Sequence, residues 1–395
     1  MGAGHAHRAT GEFEVPRVRR LVLLWALGLV ALSTVAGVVL LWPDGGEVDD
    51  IRESVSFAAP GVSFPEAAVD EAEPACAELA PSEDCGGVRA TLSEGEDKGT
   101  QVRVDVPPEV SESGLQKGDT IRLVSSPAEA EGPVTYSYFG TVRSGTLWLL
   151  TLLFVAVVLL VARLRGLFAL VSLGFTALVA WTFMLPALLV GEPPLLVALV
   201  GCSAIMFVVL YTTHGVSIRT SAALAGTLLG VGLTAGLGAV FVGASRLTGV
   251  ADESAHVLRS SVGDLGFQGL LTCAFVIAGL GVLNDVTITQ ASSVWELRAA
   301  APAAPRHHLF SSAMRIGRDH IASAIYTILF AYAGTALLVL LVLQLYGLPM
   351  AVLLSTEEIA QEVVRSLVTS LGLVLAVPIT TAIAAITVPG ARTYS

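Results

Sequence analysis

Long apolar stretches separated by short polar segments occupy most of the chain. From residue 146 onward each stretch has about 17–25 residues, the length with which an α-helix crosses about 30 Å of hydrocarbon. An earlier stretch, residues 21–42, exceeds the roughly 7–15 residues of a signal-peptide core and lacks a small-residue cleavage site, so it predicts an uncleaved signal anchor. The other predicted transmembrane helices are residues 147–162, 167–190, 195–211, 222–244, 267–297, 321–346 and 367–388.

Residues 43–145 carry a different pattern, with no apolar stretch of spanning length. Residues 43–87 are rich in acidic residues, Pro and Ser, and predict an extended acidic linker. Residues 88–145 predict a small β-barrel or β-sandwich, OB-like or SH3-like, because short segments alternate apolar and polar positions between glycine turns. These predicted strands are residues 88–92, 101–106, 120–124 and 134–139. The predicted fold class is therefore a membrane all-α bundle of about eight helices with a small extracytoplasmic β-domain.

Composition and charge agree with this class. Hydrophobic residues make up 54% and charged residues 14% of the 395, whereas soluble domains have about 25% charged residues, which argues against an ordinary soluble enzyme. Segment 43–145 holds 21 acidic and seven basic residues, and no basic stripe typical of nucleic-acid binding occurs. Twelve arginines fall in segments predicted to be cytoplasmic and three in short outside loops. The positive-inside rule then places both termini, residues 1–20 and 389–395, in the cytoplasm of a bacterial cell and 43–145 outside it.

The four cysteines suggest packing and one possible disulfide. Cys76 and Cys85 lie in the predicted outer region, where an oxidising environment allows a bridge between them, although two free thiols are the alternative. Cys202 and Cys273 lie within predicted helices and are expected to pack as small apolar residues. Neither a metal site nor a cofactor is expected, because no Cys/His spacing typical of zinc occurs.

The helix predicted at 267–297 carries a polar stripe at membrane depth. At 100° per residue, Asp285, Thr289, Ser292 and Glu296 fall within one narrow face. Such a face is not stable against lipid and must meet another helix or water. One hypothesis makes Asp285 an ion or proton site supported by Asn284, Thr289 and Ser292, and the other makes the stripe hydrogen-bonded helix packing.

Charged residues at the cytoplasmic ends of neighbouring helices predict a gate. Glu296 lies near the end of its helix, and Arg318 and Asp319 precede the next one. Arg318 is placed to pair with Glu296 or Asp285, so we expect these groups to act as a gate or counter-charge. An interfacial salt bridge is the simpler alternative for Glu296.

Glycines and prolines predict how the helices pack and bend. Two G-x-x-x-G pairs, Gly226 with Gly230 and Gly232 with Gly236, predict close helix contacts. Prolines within helices remove a backbone donor and are expected to kink them. The prolines concerned are Pro186 and Pro378, the latter followed by Thr380 and Thr381, whose hydroxyls are candidates to bond the carbonyls so freed.

Several segments together resemble the YibE/F family of bacterial membrane proteins. They are residues 279–297, 315–319 and 365–380 in the helical region, with residues 95–99 and 118–119 in the outer region and Gly191 after Pro186. The resemblance implies a cell-membrane protein with an extracytoplasmic β-domain and a helical bundle. It implies no particular activity.

Two functional hypotheses remain open. The first is a secondary transporter or channel-like protein of unknown substrate, whose partners are the lipid bilayer and a small ion or solute. The second is a non-transporting scaffold or envelope factor whose β-domain binds an unidentified partner. An enzyme is not expected, because no nucleophile or metal set occurs at a plausible depth.

Overall fold

A computed structural model describes residues 17–55, 61–76, 85–95, 97–126, 134–262 and 265–390. The chain forms two compact units. The β-unit comprises residues 54–163, and the helical unit comprises residues 1–53 and 164–395. Each unit has its own hydrophobic core.

The β-unit is a five-stranded antiparallel sheet in the order β3-β2-β1-β4-β5. Its strands are β1 Glu66–Ala72, β2 Gly87–Leu92, β3 Gln101–Asp105, β4 Thr120–Ser126 and β5 Thr135–Thr141, with a short helix α3, Pro108–Ser111, between β3 and β4. The end strands β3 and β5 also contact each other, so the sheet is nearly closed. Its core is formed by alternate apolar residues of the strands, including Val69, Val88, Ile121 and Leu123.

The central strand β1 lies inside the segment that we predicted as an extended linker. Ala67 and Val69 point into the core, and Ala67 pairs with Leu92 of β2 and Ile121 of β4. Acidic residues occupy the other face of β1, and side chains of β2 and β3 bind them: Thr91 and Gln101 donate to Asp70, and Arg103 donates to Glu73 just after β1. The linker prediction was wrong because the residues that pair with β1 lie later in the chain, so the sequence of 43–87 alone does not show the pairing. A helix α2, Gly45–Ser54, also lies in that segment.

A disulfide joins Cys76, after β1, to Cys85, before β2. The bridge closes the loop between two paired strands. Its eight intervening residues, 77–84, lie outside the described part of the chain.

The helical unit is built from long apolar helices and short connecting ones. They are α1 Arg17–Leu40, α4 Ser144–Val179, a π-helical turn Ala180–Met184, α5 Leu185–Leu189, α6 Pro194–His214, α7 Ile218–Ala244, α8 Glu253–Ser261, α9 Phe267–Ala300, α10 Arg306–Thr335, α11 Leu337–Tyr346, α12 Met350–Leu353 and α13 Glu357–Thr387. Helix α4 is interrupted at Arg163, which has a φ of 52°, and only its second part belongs to this unit.

Among the described residues, six helices are long and apolar enough to cross a membrane, or seven if α10 and α11 form one span. This count takes Ser144–Leu189 as one helix, whereas the sequence predicts two, 147–162 and 167–190. The helix predicted at 321–346 instead begins at Arg306 and bends by 66° between α10 and α11. Many large apolar side chains on α1, α4 and α11 are exposed, as expected for surfaces that contact lipid.

Helices α7, α9 and α13 pack on one another at the centre of this unit, with α6 and α10 against them. A Cβ atom at Gly226 of α7 would collide with the Thr380 hydroxyl of α13, and one at Gly230 would lie 3.0 Å from Leu283 of α9. The first predicted glycine pair, Gly226 with Gly230, is therefore a close helix contact.

The second predicted glycine pair is not a helix contact, so the prediction for Gly232 and for Gly236 was wrong. Gly232 is exposed, and no atom lies within 4 Å of its Cβ position. Gly236 is likewise exposed, with no atom within 4 Å of its Cβ position. The physical reason is helical phase, because at 100° per residue the second pair is centred about 120° around α7 from the first. Gly236 thus lies on a face of α7 that no described helix covers.

The two prolines act differently. Pro186 follows the π-helical turn. This wider turn accommodates the proline, which has no backbone N–H with which to continue the α-helical hydrogen bonds. Pro378 lies inside the continuous helix α13. The Thr380 and Thr381 hydroxyls donate to the carbonyls of Ala376 and Val377, at 2.8 and 2.7 Å. The prediction that these hydroxyls bond the carbonyl freed by Pro378, four residues before it, was therefore wrong.

Candidate functional site

A cavity of about 1010 Å³ lies within the helical unit, between the second part of α4, α6 and α9. Much of its wall is apolar, including Met184, Ile205 and Leu280. Its polar lining consists of five uncharged and three basic side chains, which are Ser172, Thr176, Thr213, Asn284, Ser292, Arg165, His214 and Arg219. The cavity therefore combines the apolar walls and few convergent polar groups typical of small-molecule sites.

A second, more open cleft of about 670 Å³ lies beside this cavity. His214 and Ser292 line both spaces, so they share a wall. The cleft is acidic, because Asp285 and Glu296 line it together with the hydroxyls of Thr289 and Ser293. One face of α9 thus borders two spaces of different charge.

The structure keeps the predicted stripe together but places the supporting residue Asn284 beside a different space. Asp285, Thr289, Ser292 and Glu296 all line the acidic cleft, whereas Asn284 lines the large cavity. Asp285 and Glu296 are exposed, and within the described residues neither carboxylate has an ion pair or a hydrogen bond. Among the described residues, the two acidic groups of the stripe therefore make no hydrogen-bonded contact with another helix. Asn284 Oδ1, by contrast, is buried and lacks a hydrogen-bond partner in the described part of the chain.

The predicted gate is not assembled. Arg318 and Asp319 are exposed on α10, and neither lines the cavity or the cleft. Within the described ranges Arg318 forms no ion pair with Asp285 or Glu296. The reason is helical phase: Gly317 of α10 lies against the Gln290 side chain of α9, and each following residue is rotated by about 100°.

Sequence reasoning missed a buried polar face on the opposite side of α9. Thr287 Oγ1 lies 2.6 Å from Thr227 Oγ1 of α7, and Thr381 Oγ1 of α13 lies 3.1 Å from Gln290 Oε1. All four side chains are fully buried, and Gln290 Nε2 has no partner among the described residues. Hydrogen bonds of this kind join helices where no water competes.

An ion pair on α13 was also missed. Arg365 donates to Glu362 Oε1 at 2.8 Å and lies over the rings of Phe275 and Tyr332, with its Cζ 5.6 and 5.7 Å from their centroids. The helix predicted at 367–388 leaves Arg365 outside it, but Arg365 lies within α13, which begins ten residues earlier. The signal was present in the sequence, because Glu362 and Arg365 are spaced i, i+3 as helical ion pairs are.

Comparisons with known proteins identify the family. A family model described as YibE/F-like protein matches residues 150–390. The match confirms the predicted resemblance for the helical region and does not extend to residues 95–99 and 118–119. No curated protein and no solved structure matches. Since the matched residues cover more than half of the chain, including α6 to α13 and both spaces beside α9, the protein belongs to the YibE/F-like family.

Proposed function

We propose that this chain is a multi-pass membrane protein that moves a small ion or solute across the bilayer, as a secondary transporter or channel-like protein. The observation that carries the proposal is the large cavity, with its few convergent polar groups, beside the acidic cleft, within helices apolar enough to lie in a membrane. Catalysis is not part of the proposal. The protein's location in the cell membrane, with both termini cytoplasmic, belongs to the same proposal.

The acidic residues supply the ion site. Asp285 lies 18 residues into α9, about 27 Å along its axis, and Glu296 lies about 16 Å further. Ionisable groups within membrane helices are unfavourable unless they serve a pathway or a partner, and Asp285 has no partner in the described part of the chain. A carboxylate left unpaired is free to take up a proton or a cation, and Thr289 and Ser292 add neutral oxygens along the same face.

The large cavity supplies the solute site. Asn284 Oδ1 is buried there without a partner among the described residues, so a ligand that donates a hydrogen bond satisfies it. Arg165, His214 and Arg219 line the same space and favour a solute that also carries acceptor oxygens. His214 and Ser292 connect this site to the acidic cleft, which offers a physical route for coupling between ion and solute.

Proton and cation flux in proteoliposomes tests the proposal. Purified wild type, Asp285→Asn and the matched control Glu358→Gln are compared under imposed pH and Na⁺ gradients; Glu358 is an exposed acid that lines neither space. The proposal predicts flux in the wild type and the control and its loss in Asp285→Asn at equal membrane levels. Undiminished flux in Asp285→Asn contradicts the role of Asp285, and no flux through the folded wild type contradicts a proton or cation pathway.

The β-unit supports a second candidate function, a scaffold that binds a partner outside the cell. Its own core and its disulfide indicate a separately folded module, and a disulfide suits an oxidising exterior. The strand order, with a short helix between β3 and β4, resembles that of OB-like barrels, which bind ligands on their sheet face. The scaffold function predicts that loss of the β-unit, and not Asp285→Asn, abolishes the cellular phenotype.

A further inference from the structure

A fully buried arginine at one end of the helical unit has an unused hydrogen-bonding edge. Arg298, in the last turn of α9, is 1% exposed. Its Nη1 donates to the carbonyls of Pro302 and Ala304, at 3.1 and 2.7 Å, and so holds the turn between α9 and α10. Its Nε and Nη2 are buried and have no partner in the described part of the chain.

The free atoms form one side of the guanidinium fork. In arginine, the Nε–H and one Nη2–H point in the same direction and bind two oxygens of one carboxylate or phosphate. No acidic side chain forms an ion pair with Arg298 among the described residues. Since a buried charge without a partner is strongly unfavourable, the geometry calls for an anion with two oxygens on this edge.

Two further arginines lie at the same end of the unit. Arg306, the first residue of α10, donates from Nη2 to the Val388 carbonyl at 3.2 Å, and Arg19 of α1 donates to the Ile386 carbonyl at 3.0 Å. Arg306 directly follows the turn whose Pro302 and Ala304 carbonyls Arg298 binds. Its Nε is also buried without a partner among the described residues. Each arginine thus caps backbone carbonyls with part of its fork, and none of the three forms an ion pair among the described residues.

The start of α10 adds to this positive potential. The first turn of α10 contains no acidic residue, and its N-cap, Pro305, supplies no side-chain acceptor. The unsatisfied N–H groups of a helix N-terminus attract anions. Both unused guanidinium groups and this helix start lie next to the same short turn, residues 301–305.

We propose that Arg298 and Arg306 bind a phosphate group at this end of the bundle, either the headgroup of an anionic lipid or a free phosphate. Arg298 Nε and Nη2 offer two donors to the phosphate oxygens, and Arg306 Nε offers a third. The positive-inside rule predicts this arginine-rich end to face the cytoplasm, and the cytoplasmic leaflet carries the anionic phospholipids. Neither Arg298 nor Arg306 lines the cavity or the cleft, so the phosphate site does not depend on transport.

Thermal unfolding of the full-length protein tests the site in two arms. In detergent, the Tm is measured with inorganic phosphate against chloride at equal ionic strength. In nanodiscs, it is measured in phosphatidylcholine with and without phosphatidylglycerol. The variants are Arg298→Lys, which keeps the charge but loses the fork, Arg306→Gln, and the control Arg315→Gln, an exposed arginine of the same helix.

The proposal predicts a higher Tm of the wild type with the phosphate-bearing ligand in at least one arm, because a ligand that binds the folded state stabilises it. The arm that responds identifies the source of the phosphate. The apparent affinity falls by about tenfold or more, or about 1.4 kcal/mol, in Arg306→Gln and in Arg298→Lys, and the control retains it. No shift in either arm, or an equal shift in Arg306→Gln and the wild type, overturns the proposal. Because Arg306 is only partly buried, its variant remains informative if Arg298→Lys fails to fold.

Discussion

Two substitutions on one helix are predicted to change stability in opposite directions. Gly226→Ala places a methyl group against the Thr380 hydroxyl, at the contact of α7 with α13. Thr380 is fully buried and its hydroxyl donates to the Ala376 carbonyl at 2.8 Å. Thr380 therefore cannot rotate away from the new methyl group without loss of that bond. Gly232→Ala, six residues later, adds the same methyl group where no atom lies within 4 Å.

The magnitudes follow from two opposing terms. Both substitutions gain up to about 1 kcal/mol because Ala favours a helix interior over Gly. Only Gly226→Ala incurs overpacking, which typically costs about 1–3 kcal/mol. The helix-propensity term cancels in the comparison, so we expect Gly226→Ala to be less stable than Gly232→Ala by about 1–3 kcal/mol. Gly236→Ala serves as a second control, because its Cβ position is equally open.

Unfolding by SDS titration of mixed micelles, followed by circular dichroism, measures the difference. Gly226→Ala is expected to unfold at a lower SDS fraction than the wild type, and Gly232→Ala and Gly236→Ala at an equal or higher one. Equal shifts of all three variants in the same direction would refute the close contact of α7 with α13. A larger loss in Gly232→Ala or Gly236→Ala would show that lipid or another chain packs on that glycine.

Two further predictions concern carboxylates outside the candidate site. Hydrogen bonds from the Arg103 guanidinium hold the pKa of Glu73 below its ordinary range. This pair therefore stabilises the β-unit fully above about pH 4.3, the ordinary pKa of a Glu side chain. The stabilisation is lost as the pH falls through the lowered pKa. Pulse proteolysis of the full chain measures the urea midpoint of the β-unit. Between about pH 6 and about pH 3 this midpoint should fall more steeply in the wild type than in Glu73→Gln. An equally steep fall in both proteins would contradict this prediction. Glu357 Oε1 accepts hydrogen bonds from Thr248 N at 2.6 Å and Gly249 N at 3.2 Å, and so ties the loop after α7 to α13. Glu357→Gln should weaken this attachment by about 1–2 kcal/mol and speed hydrogen exchange at the Gly249 amide. Unchanged exchange at Gly249 would contradict the prediction.

The central helices α7 and α9 were predicted closely. Helix α7 was predicted at 222–244 and spans Ile218–Ala244, and α9 was predicted at 267–297 and spans Phe267–Ala300. Helix starts were missed where polar residues find partners within the protein. Helix α13 begins at Glu357, whose carboxylate binds the loop after α7, and α10 begins at Arg306, which donates to Val388. Hydropathy does not record such contacts, because it treats every polar residue as exposed.

The glycine spacing on α7 was an incomplete guide to helix contacts. Both G-x-x-x-G pairs have the same spacing, yet Gly226 and Gly230 meet neighbouring helices, whereas Gly232 and Gly236 do not. The motif reports that a helix could approach closely, but not which face of α7 a neighbour covers. That choice depends on α9 and α13, which lie elsewhere in the sequence, so the wrong prediction for Gly236 could not have been corrected from α7 alone.

The orientation of α9 could not be predicted from its own sequence. The helix has one polar face with Asp285 and another with Thr287 and Gln290, about 140–200° away around its axis. Periodicity alone does not tell which face packs. Thr227 of α7 and Thr381 of α13 supply hydroxyls that bind the second face, so that face is buried and the Asp285 face lines the cleft.

The shared wall between the cavity and the cleft allows the most direct test of the proposed pathway. Ser292 lines both spaces, so Ser292→Cys, in a chain with Cys202 and Cys273 replaced by Ala, places a thiol where the proposed pathway runs. Proton and Na⁺ flux in proteoliposomes is measured before and after a bulky thiol reagent, with Gly232→Cys in the same background as the control on an exposed helix face. We expect the reagent to block flux in Ser292→Cys and to leave the control unchanged. Full flux through Ser292→Cys with its thiol completely labelled would contradict a pathway along this face of α9.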